Sequence, residues 1–275
     1  MRPAEVVRRG ADYLARHDVD ASFVAAEQLM MVVLGTDRAG VYARNEGLRA
    51  GEARAYGRAL CRRCTGTPLQ HLTGTTGFRG LELAVRPGVF VPRPETEVLV
   101  EIALEKLDGV SAPVVVDVGT GTGAVALAIK HERPDAAVYA TDASEDAVAL
   151  ARHNAARLGL GVDVERGDLL APLPVGLPLD LVASNPPYVP LTEEPRLPPE
   201  VRTEPRAAVF GGPEIYRRLF AEAVERLVPR GVVVVEIHED AARDVGEMAS
   251  SAGFHEVEVH RDLTGRDRVI SARRP

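Results

Sequence analysis

The sequence predicts an α/β fold, in which seven strands form a mostly parallel sheet covered by helices, preceded by a small N-terminal helical domain and a β-hairpin. Three observations carry this reading. From residue 113 onward, short Val-rich runs alternate with helical patterns, as parallel βαβ units require. Residues 1–64 instead repeat apolar side chains at helical spacing only. Between them, residues 75–92 alternate apolar and polar positions.

Taken in order, helices are expected over 3–16 and 20–34, the second through Val24, Leu29, Met30, Val33 and Leu34. Asp20 suits its N-cap and Gly35 its stop. A third helix is expected over about 51–64. Phe78, Leu81, Leu83, Val85, Val89 and Val91 alternate around Arg86-Pro87-Gly88, which reads as a hairpin. Pro92-Arg93-Pro94-Glu95-Thr96-Glu97 then leads into the periodic run Val98 to Leu107. Proline in the entry and acids in the first turn mark a helix start. Strands follow at 114–118, 137–141, 162–165, 180–184, 231–237, 255–260 and 268–272. Helices fit 124–131, 144–158, 213–228 and 239–252. The close spacing of the last two strands predicts an antiparallel hairpin at one sheet edge. Residues 190–206, with five prolines, read as a loop. The expected division is a helical domain (1–74), a hairpin linker (75–92) and a catalytic domain (93–275).

Composition narrows the function classes. Apolar residues make up 45% of the 275, enough to bury a real core. No apolar run approaches membrane-spanning length and no secretory signal opens the chain, so a cytoplasmic protein without a membrane partner is expected. Residues 1–74 carry 11 basic and 8 acidic side chains, and the remainder 22 and 32. That balance offers no evident basic surface for a nucleic-acid backbone, so no stable nucleic-acid partner is expected. Cys61 and Cys64 form a lone CxxC without the second ligand pair that zinc needs. They read as two reduced thiols one helical turn apart, and no metal is expected.

Two stretches carry chemistry. Val114 to Val118 runs into Gly119-Thr120-Gly121-Thr122-Gly123-Ala124, a buried strand entering a glycine turn that opens a helix. Glycines there let the backbone approach a ligand beside a helix N-terminus. Asp142, ending the next strand about 20 residues on, suits a ribose diol. Asp168 and Leu169, after the third strand, suit an adenine: the acid accepts from the exocyclic amine and the leucine packs on the ring. Three readings stand at this point: an S-adenosylmethionine site, a dinucleotide site through Gly119, Gly121 and Ala124, or a glycine turn that serves packing alone. Asp168 also has a plain reading as a turn cap.

The second stretch, Asn185-Pro186-Pro187-Tyr188, follows the fourth strand. An amide or aromatic amine nitrogen is a poor nucleophile because its lone pair is delocalised. Two acceptors, the Asn185 side-chain oxygen and the Pro186 carbonyl, can take both its hydrogens and aim the lone pair at a methyl donor. The two prolines stiffen the turn, and Tyr188 offers a ring face for a planar group. This motif favours methyl transfer over hydride transfer.

With these residues in hand, the chain resembles the release-factor glutamine methyltransferases (the PrmC/HemK family) over essentially its whole length. The resemblance rests on Arg62-Arg63 with Pro68 to Gly74, on Pro92–Glu97, Asp117–Gly123 and Asn185–Tyr188. It extends to Glu204-Pro205 ahead of Gly211-Gly212, and to Asp262 to Arg268. It implies a Rossmann-like seven-stranded methyltransferase sheet and a helical domain that helps recognise a protein substrate. The implied reaction moves a methyl group from S-adenosyl-L-methionine to the side-chain nitrogen N5 of the Gln in a Gly-Gly-Gln loop of a peptide-chain release factor, leaving S-adenosyl-L-homocysteine. The implied cofactor residues are Gly119 to Gly123, Asp142, Asp168, Leu169 and Asn185. Asn185, Pro186, Pro187 and Tyr188 would take the substrate Gln, with Asn185, Pro186 and Tyr188 catalytic. By analogy Pro94–Thr96 lies beside the methionine end of the cofactor, and a monomer is expected. His71, His238 and Pro213 to Tyr216 depart from the family's usual residues.

Overall fold

A computed structural model describes all 275 residues. The chain forms two compact units, Met1–Thr75 with Arg196–Thr203, and Thr76–Pro195 with Glu204–Pro275.

The first unit holds α1 (Pro3–Ala15), α2 (Ser22–Leu34), α3 (Arg38–Ala43), α4 (Ala50–Cys64) and α5 (Leu69–Thr73). Val7, Leu14, Leu29, Met30 and Tyr56 fill its core. Gly10 has no side chain because the Tyr56 phenol crosses α1 there; a Cβ would stand 2.3 Å from its oxygen. That phenol donates to the Ala26 carbonyl at 3.0 Å. Asp20 is not the cap of α2. The turn before it places Ala21 at the N-cap with φ +48°, and no side chain caps the helix. Gly35 does end α2, in the left-handed region at φ +60°. Segment 196–203 joins this unit through an Arg63–Glu200 ion pair of 2.8 Å. Cys61 and Cys64 are free thiols.

The second unit begins within β1 (Thr75–Phe78), which is followed by β2 (Leu81–Ala84). The hairpin turn is Arg79-Gly80, both at positive φ (+42° and +76°), and not Arg86-Pro87-Gly88. Two-residue hairpins demand that backbone, because its twist matches that of the strands. Residues 85–92 are irregular. Then come α6 (Glu97–Lys106), β3 (Val114–Val118), α7 (Ala124–Glu132), β4 (Ala137–Asp142), α8 (Glu145–Leu158), β5 (Val162–Arg166) and β6 (Leu179–Ser184). After them follow α9 (Arg206–Val209), α10 (Pro213–Arg226), β7 (Leu227–Glu236), α11 (Ala242–Ser251), β8 (His255–Arg261) and β9 (Asp267–Arg273). Between Pro190 and Arg206 the expected loop contains two 3₁₀ turns, Leu191–Arg196 and Val201–Thr203.

The sheet has seven strands in the order β5-β4-β3-β6-β7-β9-β8, so the predicted antiparallel hairpin closes one edge. Val115, Leu181, Val232 and Val234 face α6, α7 and α8, while Val116, Val182, Val233 and Val235 face α10 and α11. Burial on both sides explains why these strands read as unbroken apolar runs.

Register does the rest. Val118 lies opposite Thr141 on β4 and opposite Ser184 on β6, and Ser184 lies opposite Val235 on β7. The next residues, Asp142, Gly119, Asn185 and Glu236, therefore emerge side by side from one sheet edge. The chain reverses its direction of travel between β3 and β6, and open α/β sheets bind ligands at such a crevice.

Buried Asn154 of α8 links this edge to the hairpin. Its oxygen accepts from Ala84 N–H at 2.8 Å, and its amide donates to the Ala84 and Thr122 carbonyls at 3.0 and 2.9 Å. Replacement by alanine removes the partner of three backbone groups, two on half-buried Ala84 and one on buried Thr122, at a cost of roughly 3 kcal/mol. We expect Asn154→Ala to melt about 6–12 °C below the parent in thermal unfolding; an unchanged melting temperature would refute this role.

Candidate active site

The glycine turn after β3 is shaped from below. Asp117, 1% exposed, accepts through one oxygen from the Thr120 hydroxyl at 2.6 Å and from Ala126 N–H at 3.2 Å. The second bond satisfies one of the free donors at the start of α7. Gly119, Gly121 and Gly123 lie at φ +74°, +57° and +85°, where side chains are strained. Their uses differ. A Cβ on Gly119 or Gly121 would meet nothing within 4 Å, so the backbone there borders open space. On Gly123 it would press on Leu127 and Ala151, so that glycine serves the packing of α7 on α8. Thr120 and Thr122 are buried, which leaves their backbone as what a ligand could meet.

Asp142 holds the same turn from β4. One oxygen accepts from Gly121 N–H at 2.9 Å and the other from Ser144 N–H at 2.8 Å. Each oxygen keeps a lone pair for an outside donor. Leu169 is buried in the left-handed region at φ +46°, costing about 1–2 kcal/mol. The Thr141 hydroxyl holds it by donating to its carbonyl at 2.8 Å. Asp168 is exposed and ion-paired with Arg218. The open backbone at Gly119 and Gly121 and the paired acceptor Asp142 fit a nucleoside cofactor, while the Leu169 side chain lies in the core with Leu170 and Leu173. No group of three or more His, Cys, Asp or Glu side chains is placed to hold a metal.

Asn185 follows β6, half-buried, and its amide nitrogen donates to the Thr96 hydroxyl at 3.1 Å. The side-chain oxygen is thereby left to accept from elsewhere. Tyr188 donates its phenol hydrogen to Glu236 Oε1 at 3.0 Å. Burial, reinforced by the Glu236 carboxyl, holds that phenol well above its usual range, so it stays neutral. The segment beyond the motif is clamped. Val189 N–H donates to the Val209 carbonyl and Gly211 N–H to the Val189 carbonyl, at 3.1 and 3.2 Å. Gly211 packs so tightly that a Cβ would fall 1.8 Å from the Pro187 carbonyl oxygen.

Pro94–Thr96 and Glu204-Pro205 belong to the motifs that carry the resemblance, but their contacts were not foreseen from sequence. Thr96, in the 3₁₀ turn Pro94–Thr96, meets Asn185 across 89 positions of chain. Glu204, 4% exposed, accepts from Val91 N–H at 3.0 Å and pairs with Arg93 at 2.5 Å, fixing the strand of chain that leads to Thr96. Glu236 and Asp117 are lone acids in apolar strands, a signal the sequence did contain.

Asp117 gives a pH prediction. Burial pushes its carboxyl up to about 6, against the downward pull of the Thr120 and Ala126 hydrogen bonds. A raised carboxyl pKa means the folded state binds the extra proton, so this group's contribution falls as pH rises from about 4 to 6. Asp117→Asn keeps an oxygen acceptor and cannot titrate. The melting temperature of the parent minus that of Asp117→Asn should therefore drop between about pH 4.5 and 6 and level off above. A difference that is flat or rises over that range would exclude the raised value.

Known proteins bear on this arrangement. A family model described as a methyltransferase small domain matches residues 80–195, and one described as the PrmC N-terminal domain matches residues 5–74. The release factor glutamine methyltransferase of Moorella thermoacetica is 42% identical over 277 residues, spanning 98% of this chain and 96% of its own. That of Deinococcus radiodurans is 41% identical, spanning 100% and 99%. Among solved structures, a T. thermophilus 16S rRNA N2 G1207 methyltransferase in complex with AdoMet and guanosine aligns with a TM-score of 0.56 at 20% identity, over 73% of this chain and 50% of that one. That likeness shows the shared fold of the sheet domain. The full-length identity shows more: the chain belongs to the release factor glutamine methyltransferases, a family of S-adenosylmethionine-dependent enzymes.

Proposed function

We propose that this chain methylates the side-chain nitrogen N5 of the Gln in the Gly-Gly-Gln loop of a peptide-chain release factor, with S-adenosyl-L-methionine as donor. The observation that carries the reading is the Asn185 amide, whose nitrogen donates to Thr96 and whose oxygen accepts no hydrogen bond within the chain, one strand over from the glycine turn. S-adenosylmethionine, when bound, supplies an electrophilic methyl carbon. The chain's own residues supply alignment. Asn185 Oδ1 and the Pro186 carbonyl take the two hydrogens of the substrate amide, which draws its lone pair out of conjugation. They also stabilise the positive charge that grows on nitrogen as its bond to carbon forms and the carbon–sulfur bond breaks. Tyr188 provides a ring face for the planar amide, with its phenol anchored on Glu236. The proton leaves nitrogen after methylation, when it has become acidic, so no strong base is required. Gly119, Gly121, Asp142, Asp168 and Leu169 are the residues we assign to the cofactor; Thr120, Thr122 and Gly123 shape the turn that holds it.

Two outcomes test this reading. Asn185→Ala should lower turnover by about 10²–10³ while cofactor affinity, read by calorimetry, changes little. Near-normal turnover would remove Asn185 from the mechanism. Remote contacts position a reacting atom, so an intact release factor should be methylated efficiently, its isolated Gly-Gly-Gln peptide weakly and duplex DNA not at all. Tandem mass spectrometry should find one added methyl on that Gln; a methyl on adenine or on another residue would sink the assignment.

A further inference from the structure

The stretch of chain that brings Thr96 to Asn185 is stiff. Pro92 and Pro94 have no N–H, which denies the segment two of the donors a strand ladder needs. Val91 and Arg93 each precede a proline, which holds such residues extended, and Arg93 lies at φ −100° and ψ 148°. A segment of this kind behaves as a short rod: what fixes one end fixes the other.

One end is fixed by Glu204, whose side chain is fully buried. Oε1 accepts from the N–H of buried Val91 at 3.0 Å, and Oε2 pairs with Arg93 Nη2 at 2.5 Å. The other end is Thr96. Its N–H donates to the Arg93 carbonyl at 3.1 Å, closing the 3₁₀ turn, and its hydroxyl meets the Asn185 amide nitrogen at the same distance. Arg93 therefore carries both links, with its guanidinium on Glu204 and its carbonyl on Thr96.

Glu204 is tied to the Asn-Pro-Pro-Tyr segment in a second way. Pro205 follows it and caps α9, its carbonyl accepting from Ala208 N–H at 2.9 Å. The last residue of α9 is Val209, whose carbonyl takes Val189 N–H, and Gly211 lies against the Pro187 carbonyl. The backbone just past Asn185 and the group at the tip of its side chain are thus both referred to one buried carboxyl, 113 positions of chain from Val91. Stability alone does not account for this, since apolar side chains of similar volume often serve as well as a buried ion pair. Charge-assisted hydrogen bonds do fix geometry closely.

We propose that Glu204 is a positioning residue for methyl transfer: through Val91 and Arg93 it sets where the Thr96 hydroxyl stands, and so where the Asn185 carboxamide is held relative to the backbone that α9 clamps. The proposal rests on the role given to Asn185 above. Glu204→Gln keeps an acceptor for Val91 and loses the charge that pairs with Arg93, while Arg93→Met keeps the apolar stem and loses the pair. With an intact release factor as substrate and saturating cofactor, each should lower kcat by about 5–50-fold, the size of effect expected when a reacting group is displaced. Thr96→Val cuts the link beyond Arg93, and in that background either loss should shrink to about threefold or less. Arg133→Met controls for stability. It removes a pair with Asp135 and contacts to the Leu107 and Val110 carbonyls at the opposite edge of the sheet, where β3 and β4 begin. It should lower the melting temperature and leave kcat within about twofold. Arg93 is the more exposed partner of the pair, so Arg93→Met decides alone should Glu204→Gln fail to fold. Near-normal kcat in Arg93→Met or in Thr96→Val, a loss that persists undiminished in the Thr96→Val background, or an equal loss in Arg133→Met overturns the proposal while leaving the role of Asn185 intact. Near-normal turnover of Asn185→Ala overturns both.

Discussion

Parallel pairing in which neighbouring strands end together is the constraint on which the rest of this molecule depends. Each strand delivers one residue to the common edge, and the register makes those residues Asp142, Gly119, Asn185 and Glu236. None of them is near another in sequence. A one-residue slip of β6 would turn Asn185 to the other face of the sheet and break its bond to Thr96. Register in turn is held by burial on both faces, since Val115, Val182 and Val234 are each fully buried. The apolar core and the chemistry are thus one problem of alignment.

Two buried acids sit just inside this edge, and both work against stability by their burial. Asp117 supports the glycine turn through Thr120 and Ala126, and Glu236 holds the Tyr188 phenol. Burial raises both carboxyls. A carboxylate offers more acceptor sites than a hydroxyl, and an apolar side chain offers none. That capacity is what lets Asp117 hold two neighbours under the glycine turn in fixed orientation.

How much of this was legible in the sequence depended on range. The strand from Val114 to Val118 and the helices around it declared themselves because their periodicity and burial are local consequences of the layered sheet. The Asn185–Tyr188 motif and the glycine turn were legible for the same reason: each lies within a few residues of a strand end. The hairpin was misplaced because apolar alternation continues through Val85, Val89 and Val91, which are buried as irregular chain and not as strand. Arg79-Gly80 carried the better turn signal, but an arginine at positive φ is uncommon enough to be passed over. Asp20 failed as a cap because the preceding turn leaves it one position too early. Thr96 and Glu236 could not be joined to Asn185 at all from sequence, since 89 and 51 positions of chain separate them and only the folded register brings them together.

A carboxamide at position 185, where an acid would accept hydrogen bonds more strongly, has a physical rationale. A carboxylate beside a sulfonium donor would attract it in the ground state as well as in the transition state, and interactions shared by both do not speed the chemical step. A neutral oxygen gains its advantage as charge develops on the substrate nitrogen, which is when stabilisation counts. Neutrality carries a structural consequence that an acid would not. The carboxylate has two equivalent ends, whereas the carboxamide has one acceptor and one donor end, and the wrong rotamer would place N–H groups against the N–H groups of the substrate. Something outside the residue must break that ambiguity, and in this molecule the Thr96 hydroxyl is the group that meets the Asn185 nitrogen.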